Sequence, residues 1–134
     1  MKSLSLMTAA AAMSLCMARA GATETEKFKL IHVADLVADF QTGHPMVFDA
    51  NGDQTRQKDG IIPGAKLLSG LDYDVAKVLP GDKSADLVFY CANTKCMASH
   101  NAAGRAANAG YTHVSVLADG IQGWKAAGQK TARP

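Results

Sequence analysis

The chain has little cysteine, no excess of one charge and no long apolar stretch beyond its first residues. Only three of its 134 residues are cysteine, and 14 basic side chains stand against 12 acidic ones. No internal repeat or low-complexity tract follows residue 22, which argues against a repeat architecture or a disordered chain. No basic stripe with interleaved aromatic residues occurs, so a nucleic-acid partner is not expected. What remains is one domain's length of ordinary globular composition.

The first twenty residues differ from the rest and predict a signal peptide. Lys2 is followed by an apolar run that ends in the small-x-small pattern Ala-Arg-Ala at 18–20. This layout is typical of a secretory leader, and the run is too short for a comfortable membrane span; a buried N-terminal helix is the alternative. We therefore expect residues 1–22 to be a signal peptide and residues 23–134 to be a single domain, exported to the bacterial periplasm or the extracellular space.

Removal of this leader would change both the charge and the cysteine count. Loss of Lys2 and Arg19 leaves the basic and acidic residues balanced, so the mature chain is close to neutral. Two cysteines remain, Cys91 and Cys96. An exported protein meets a compartment that tends to oxidise such thiols.

Short apolar runs alternate with helical patterns along the rest of the chain. Strands are predicted at 28–33, 46–49, 65–68, 87–90 and 113–118, and helices at 33–43, 72–79, 97–110 and 121–128. Residues 49–54 are predicted as a turn-rich loop, since they lack the ligand spacing and the final glutamate of a calcium loop. The alternation predicts an α/β fold, a parallel sheet with helices on both faces.

Cys91 ends a predicted buried strand and begins a loop that leads into a helix. The functional crevice of such sheets lies beyond the carboxyl ends of the strands, which puts Cys91 and Asp49 at its edge. A helix that starts near residue 96 aims its unpaired N–H groups and positive dipole end into the loop. We expect this to lower the pKa of the Cys91 thiol and make it a nucleophile. A buried, inert thiol is the alternative.

Cys96 lies on the far side of the same loop and has four interpretations. A reversible disulfide to Cys91 is expected, but closing so short a loop stabilises by only about 2 kcal/mol. Cys96 therefore either resolves a persulfide or sulfenate on Cys91 or is a buried thiol in the first helical turn. A metal site formed with His100 would lack the fourth ligand of a structural zinc centre. We predict neither a metal nor a cofactor.

Three separated segments resemble the rhodanese domain, the sulfurtransferase fold. They are VFYC at 88–91, GIIPGAKLL at 60–68 and DGIQGWKAAGQ at 119–129, while MVFDAN at 46–51 resembles a strand that usually reads Asp-x-Arg in that family. The resemblance covers about residues 28–130 and is nearest to small exported rhodaneses of the phage-shock type. It implies a rhodanese-like fold with a five-stranded parallel sheet.

The resemblance also implies an activity, that of a thiosulfate sulfurtransferase. Cys91 would carry a persulfide taken from a small sulfur donor such as thiosulfate and pass the sulfur to a thiol or cyanide acceptor. The sulfur would be held by the backbone N–H groups of the loop residues Ala92, Asn93, Thr94, Lys95 and Cys96.

Four positions depart from the family's usual residues. The family commonly has glycine two or three positions after the cysteine, arginine five after it, arginine at position 51 and histidine at position 61. This chain has Thr94, Cys96, Asn51 and Ile61 there. Because arginine binds oxyanions bidentately, the absence of these arginines predicts weak activity on thiosulfate. We also expect the protein to be a monomer. The alternative is a catalytically weakened module that binds a partner or senses redox state or metal.

Overall fold

The computed structural model describes residues 27–134, and the predicted signal peptide lies outside them. Strands and helices alternate in the described part of the chain. In order they are β1 (Lys29–Ile31), α1 (Val33–Thr42), β2 (Met46–Asp49), α2 (Asp53–Asp59), β3 (Lys66–Leu67), α3 (Val75–Val78), β4 (Asp86–Tyr90), α4 (Ala98–Asn108), β5 (His113–Leu117) and α5 (Gly120–Ala126). None of these helices is long and apolar enough to cross a bilayer.

The five strands form one parallel sheet in the order β1-β5-β4-β2-β3. The predicted five-stranded parallel sheet of an α/β protein is therefore confirmed. β4 lies at the centre, and the register pairs Phe48 with Phe89 and Asp49 with Tyr90. The carboxyl ends of β2 and β4 consequently lie side by side, directly before Cys91.

Both faces of the sheet carry a hydrophobic core. Along β4, Leu87 and Phe89 belong to one cluster, and Val88 and Tyr90 belong to the other. Successive side chains of a strand point to opposite faces, so a continuous apolar run is buried on both sides. The first cluster includes the alanines of α4, and the second includes residues of α1 and α5. Helices therefore cover both faces, as predicted.

Helix α2 corrects the prediction of a turn-rich loop, because a helix begins at Asp53 inside the segment 49–54. The sequence of α2, DQTRQKD, has no apolar residue, so no hydrophobic pattern marks it. Its anchor is Arg56, which is only 6% exposed. The Arg56 guanidinium donates to the carbonyl oxygens of Asp49 at 3.0 Å and Leu68 at 2.9 Å.

The segment that follows α5 is attached to the body of the domain. Ile61 and Ala132 exchange two backbone hydrogen bonds of 2.9 and 2.8 Å in an isolated antiparallel bridge. The indole N–H of Trp124 donates to the carbonyl oxygen of Lys130 at 2.8 Å. These contacts fix the tail beside the turn that leads into β3.

Candidate functional site

Cys91 follows β4 directly and is only 1% exposed. Its carbonyl oxygen accepts the N–H of Ile121 at 2.9 Å, and that of Ala92 accepts the N–H of Gln122 at 3.0 Å. The first residues of the cysteine loop are therefore fastened to the start of α5. The carboxyl end of the central strand places Cys91 as the sequence predicted.

Gly120 allows this close approach between α5 and the loop. Its φ is +63°, and a Cβ there would lie 2.6 Å from the carbonyl carbon and oxygen of Ala92 and 2.7 Å from the nitrogen of Asn93. A side chain would collide with backbone that has no freedom to give way. Both the left-handed conformation and the space require glycine.

Cys91 and Cys96 are joined by a disulfide, with their Cα atoms 6.2 Å apart. This distance lies within the limit of about 7 Å for a bridge, so the loop brings its ends together as expected. The two residues differ in exposure. Cys91 is buried, whereas Cys96 is partly exposed.

Two N–H groups of the predicted cradle are hydrogen-bonded within the loop in this disulfide-bonded state. The N–H of Lys95 donates to the side-chain oxygen of Asn93 at 3.0 Å, and the N–H of Cys96 donates to the Asn93 carbonyl at 3.2 Å. Asparagine commonly closes such a turn on its own backbone. Two of the five N–H groups expected to hold sulfur are thus already used. Thr94 and Lys95 are exposed, and Ala92 is partly buried.

Ser99 is a site residue that the sequence reasoning missed. It lies in the first turn of α4, is 2% exposed, and has its Oγ 3.2 Å from the Cys91 sulfur. A disulfide sulfur carries no proton, so the hydroxyl is the donor in this contact. The carbonyl oxygen of Cys96 lies 3.3 Å from the same sulfur. One signal in the sequence could have indicated it, a hydroxyl at the start of the helix that the cysteine loop enters.

Asp49, predicted to line the crevice, has a fully buried carboxylate at the end of β2. The carboxylate accepts from the Tyr90 hydroxyl at 2.5 Å, the Asn51 N–H at 2.7 Å and the Arg56 Nε at 3.3 Å. It supports the edge of the sheet from inside and does not open to solvent. Arg56 was missed as well, although a buried aspartate calls for a cationic partner.

Tyr90 links this buried network to the turn before β3. Its hydroxyl donates to Asp49 and accepts the N–H of Ile62 at 3.0 Å. Burial and then the Asp49 carboxylate raise the pKa of Tyr90 far above its ordinary value. The hydroxyl therefore stays protonated, and it acts as a fixed bridge beneath the loop.

His100 and Asn51 each leave one buried nitrogen, Nδ1 and Nδ2 respectively, without a hydrogen-bond partner. His100 packs edge-on against Phe28, with ring centroids 5.7 Å apart. Among residues 27–134, no three or more His, Cys, Asp or Glu side chains lie close enough together to hold a metal ion.

Known proteins place this arrangement in a family. Residues 32–127 match the family model of the rhodanese-like domain. No curated protein matches the chain.

Among solved structures, the rhodanese-like domain of the Alr3790 protein from Anabaena sp. is 27% identical, with a TM-score of 0.64 over 78% of this chain and 79% of that one. A rhodanese-like domain protein from Staphylococcus aureus is 20% identical, with a TM-score of 0.57 over 72% and 91%. Thiosulfate sulfurtransferase from Pseudomonas aeruginosa is 23% identical, with a TM-score of 0.62 over 79% of this chain but only 20% of its own. The last two share the fold. The family model matches residues 32–127, and the parallel sheet with the cysteine loop after its central strand agrees with that match. The chain therefore belongs to the rhodanese-like domain family.

Proposed function

We propose that the protein is a sulfurtransferase that carries a persulfide on Cys91, and that the Cys91–Cys96 disulfide is its oxidised resting form. One observation carries this proposal: a cysteine at the carboxyl end of the central strand lies within bonding distance of a second cysteine across one short loop. Membership of the rhodanese-like family supports the chemistry without fixing the substrate.

The transfer begins from the reduced protein. The Cys91 thiolate attacks the outer sulfur of a donor such as thiosulfate, and a persulfide forms on Cys91 as sulfite leaves. A nucleophilic acceptor then attacks the outer sulfur of that persulfide. Cyanide is converted to thiocyanate, or a thiol is converted to a new persulfide, and Cys91 is regenerated as the thiolate.

Cys96 offers a second outcome for the persulfide. Its thiolate attacks the inner sulfur on Cys91, forms the disulfide seen here and expels the outer sulfur with its proton as hydrosulfide. Two external thiols then reduce the bridge and are themselves joined as a disulfide. Because Cys96 is the more exposed of the two residues, an incoming thiolate meets it first and expels the Cys91 thiolate.

The loop accounts for the slow turnover expected with thiosulfate. Asn93 uses the N–H groups of Lys95 and Cys96, so these groups become available to an anionic sulfur only if the loop rearranges. Position 96 carries no guanidinium, and Asn51 stands where the family often has arginine. A dianionic donor therefore has few positive groups to bind.

A test of this proposal uses the reduced full-length chain with thiosulfate and cyanide. We expect thiocyanate from the natural chain and none from Cys91→Ser. Cys96→Ala should be active without prior reduction and should hold its persulfide longer, since nothing resolves it internally. Cys16→Ala is the matched control and should behave like the natural chain.

Mass analysis locates the sulfur, because trypsin separates the three cysteines into peptides 3–19, 84–95 and 96–105. The persulfide should appear on peptide 84–95. Full activity in Cys91→Ser, or sulfur found only on another peptide, would refute the role of Cys91.

A thiol–disulfide module without sulfur transfer is the second candidate. The disulfide and the occupied N–H groups of the loop favour it. It predicts that peptides 84–95 and 96–105 are linked and released reversibly, while peptide 84–95 never gains sulfur from any of several donors.

The exported location predicted from residues 1–22 is part of our proposal, and with it the likeness to phage-shock rhodaneses. An oxidising compartment would keep the bridge closed until a thiol arrives.

A further inference from the structure

The Ser99 hydroxyl bonds to the reactive sulfur from inside the protein. We propose that Ser99 is a catalytic residue whose hydroxyl stabilises the negative charge of the Cys91 sulfur in the reduced protein; this role rests on the sulfurtransferase function proposed above. Both groups are buried, Ser99 at 2% and Cys91 at 1% exposure, with Oγ and Sγ 3.2 Å apart.

The hydroxyl is committed to this sulfur. Serines in helices often turn back to bond a carbonyl oxygen of the preceding turn. Among the described residues, the hydrogen-bond partner of the Ser99 hydroxyl is the Cys91 sulfur alone. Helix α4 holds Ser99 by its backbone, so the donor is in place before the disulfide opens.

The Ser99 hydroxyl matters because few other hydrogen-bond donors are available to a thiolate at Cys91. A thiolate there has almost no contact with water, and a buried charge needs a hydrogen-bonding partner. The carbonyl oxygen of Cys96, 3.3 Å from the sulfur, presents the wrong end of its dipole to an anion. The N–H groups of Lys95 and Cys96 are taken by Asn93. A hydroxyl that donates to the charged form favours ionisation of the thiol.

The same contact serves each step of sulfur transfer. Cys91 is the attacking thiolate when the donor is cleaved and the leaving thiolate when the acceptor takes the sulfur. Stabilising that charge makes the thiolate more abundant at neutral pH and makes Cys91 a better leaving group.

The test measures ionisation directly. In the full-length chain with Cys16→Ala and Cys96→Ala, Cys91 is the only thiol, and ultraviolet absorbance of the thiolate follows its titration without a reagent that must enter the site. Adding Ser99→Ala should move the titration midpoint upward by about one pH unit, a roughly tenfold loss of thiolate at pH values below both midpoints. Ser115→Ala, which removes a partly buried serine of β5, is the control and should leave the midpoint unchanged.

A second pair of variants separates the hydroxyl from packing. Ser99→Thr and Ser99→Val introduce side chains of nearly the same shape that differ in the hydroxyl, so the threonine variant should keep the lower midpoint. An unchanged midpoint in Ser99→Ala, or equal midpoints in the threonine and valine variants, would overturn the inference.

Sulfur loading distinguishes this inference from the function on which it rests. With thiosulfate at a pH below both midpoints, Ser99→Ala should load sulfur onto peptide 84–95 roughly three- to fourfold more slowly than its parent, because the greater nucleophilicity of a thiolate with a higher pKa offsets part of the tenfold loss of thiolate. Normal loading in the parent together with an unshifted midpoint in Ser99→Ala contradicts the role of Ser99 alone. A shifted midpoint in a parent that never loads sulfur supports the contact and contradicts sulfur transfer.

Discussion

At the scale of single residues, the carboxylate of Asp49 can be buried because donors surround it. Tyr90, Asn51 and Arg56 each contribute one hydrogen bond, and Arg56 is itself buried against two carbonyl oxygens. Removing one partner of such a buried charged group lowers the free energy of unfolding far more than removing one partner of an exposed ion pair. The network includes Tyr90, the residue before Cys91, so its integrity also affects the position of the site.

Tyr90→Phe tests this network. The change leaves the Ile62 N–H without its acceptor and removes one donor from Asp49, both in buried positions. We expect the free energy of unfolding to fall by about 2–4 kcal/mol, as measured by denaturant titration. Tyr73→Phe is the matched control, because the Tyr73 hydroxyl donates only to the neutral carbonyl oxygen of Ala102, and it should cost about 1 kcal/mol.

The alkaline pH dependence gives a second readout for the same variant. The pKa of Tyr90 is raised in the folded protein, so its contribution is complete below the ordinary tyrosine pKa of about 10 and is lost as the pH rises above that value. The alkaline loss of stability should therefore be shallower in Tyr90→Phe. Equal costs for both tyrosine variants would mean that Asp49 does not depend on Tyr90.

The sequence identified Cys91 and Cys96 because the two thiols flank one loop after a buried strand. It did not identify Ser99, and it included Asn93 only as a loop residue that would hold sulfur, not as the residue that closes the turn. Serine and asparagine are common near helix starts and turns, and only coordinates show which atoms they meet. The sequence predicted correctly that Asp49 lies at a strand end, but it did not predict that the carboxylate is buried. The burial depends on Arg56, which comes from a helix without apolar signal.

At the scale of elements, the cysteine loop is fixed from two sides. Its beginning hydrogen-bonds to Ile121 and Gln122 of α5, and its end runs into α4. α4 packs on one hydrophobic cluster and α5 on the other. The loop thus joins the helical layers of the two faces at the edge of the sheet.

Gly120→Ala should disturb the loop through this joint. The left-handed backbone alone costs about 1–2 kcal/mol with a Cβ, and the collision with Ala92 adds to it. We expect reduced stability by thermal unfolding and slower closure of the disulfide, followed as the linked peptides 84–95 and 96–105.

Gly104→Ala, in α4 with open space around its Cβ, is the control and should stabilise by about 0.5–1 kcal/mol. Disulfide closure at the natural rate in Gly120→Ala would show that α5 does not position the loop.

The elements most visible in the sequence were those with buried apolar faces. β2, β4 and β5 appeared as apolar runs, and α1 as an amphipathic pattern ending at Thr42, close to the predicted 43. The predicted helix at 72–79 shrinks to Val75–Val78, because Asp74 caps it and accepts the N–H groups of Ala76 and Lys77. α2 escaped prediction since polar contacts of Arg56, not packing, hold it.

At the scale of the whole molecule, we expect the fold to persist without its disulfide. The two clusters bury the sheet on both faces, and the bridge closes a loop with a sequence separation of only 5. We expect reduction to lower the free energy of unfolding by about 2 kcal/mol, with the protein still folded, as measured by denaturant titration with and without reductant.

Cys96→Ala, which has no bridge to reduce, is the control and should show no effect of reductant. Unfolding on reduction would instead make the bridge a structural staple and would weaken the case for thiol chemistry at Cys91.

The backbone bridge between Ile61 and Ala132 affects where the C-terminal boundary of the folded domain lies. The match to the family model ends at residue 127, yet Lys130 and Ala132 bond to Trp124 and Ile61 beyond that point. A fragment trimmed to the matched residues would lose these bonds and uncover the indole of Trp124. For this chain, the smallest unit able to keep the geometry described here extends past residue 127.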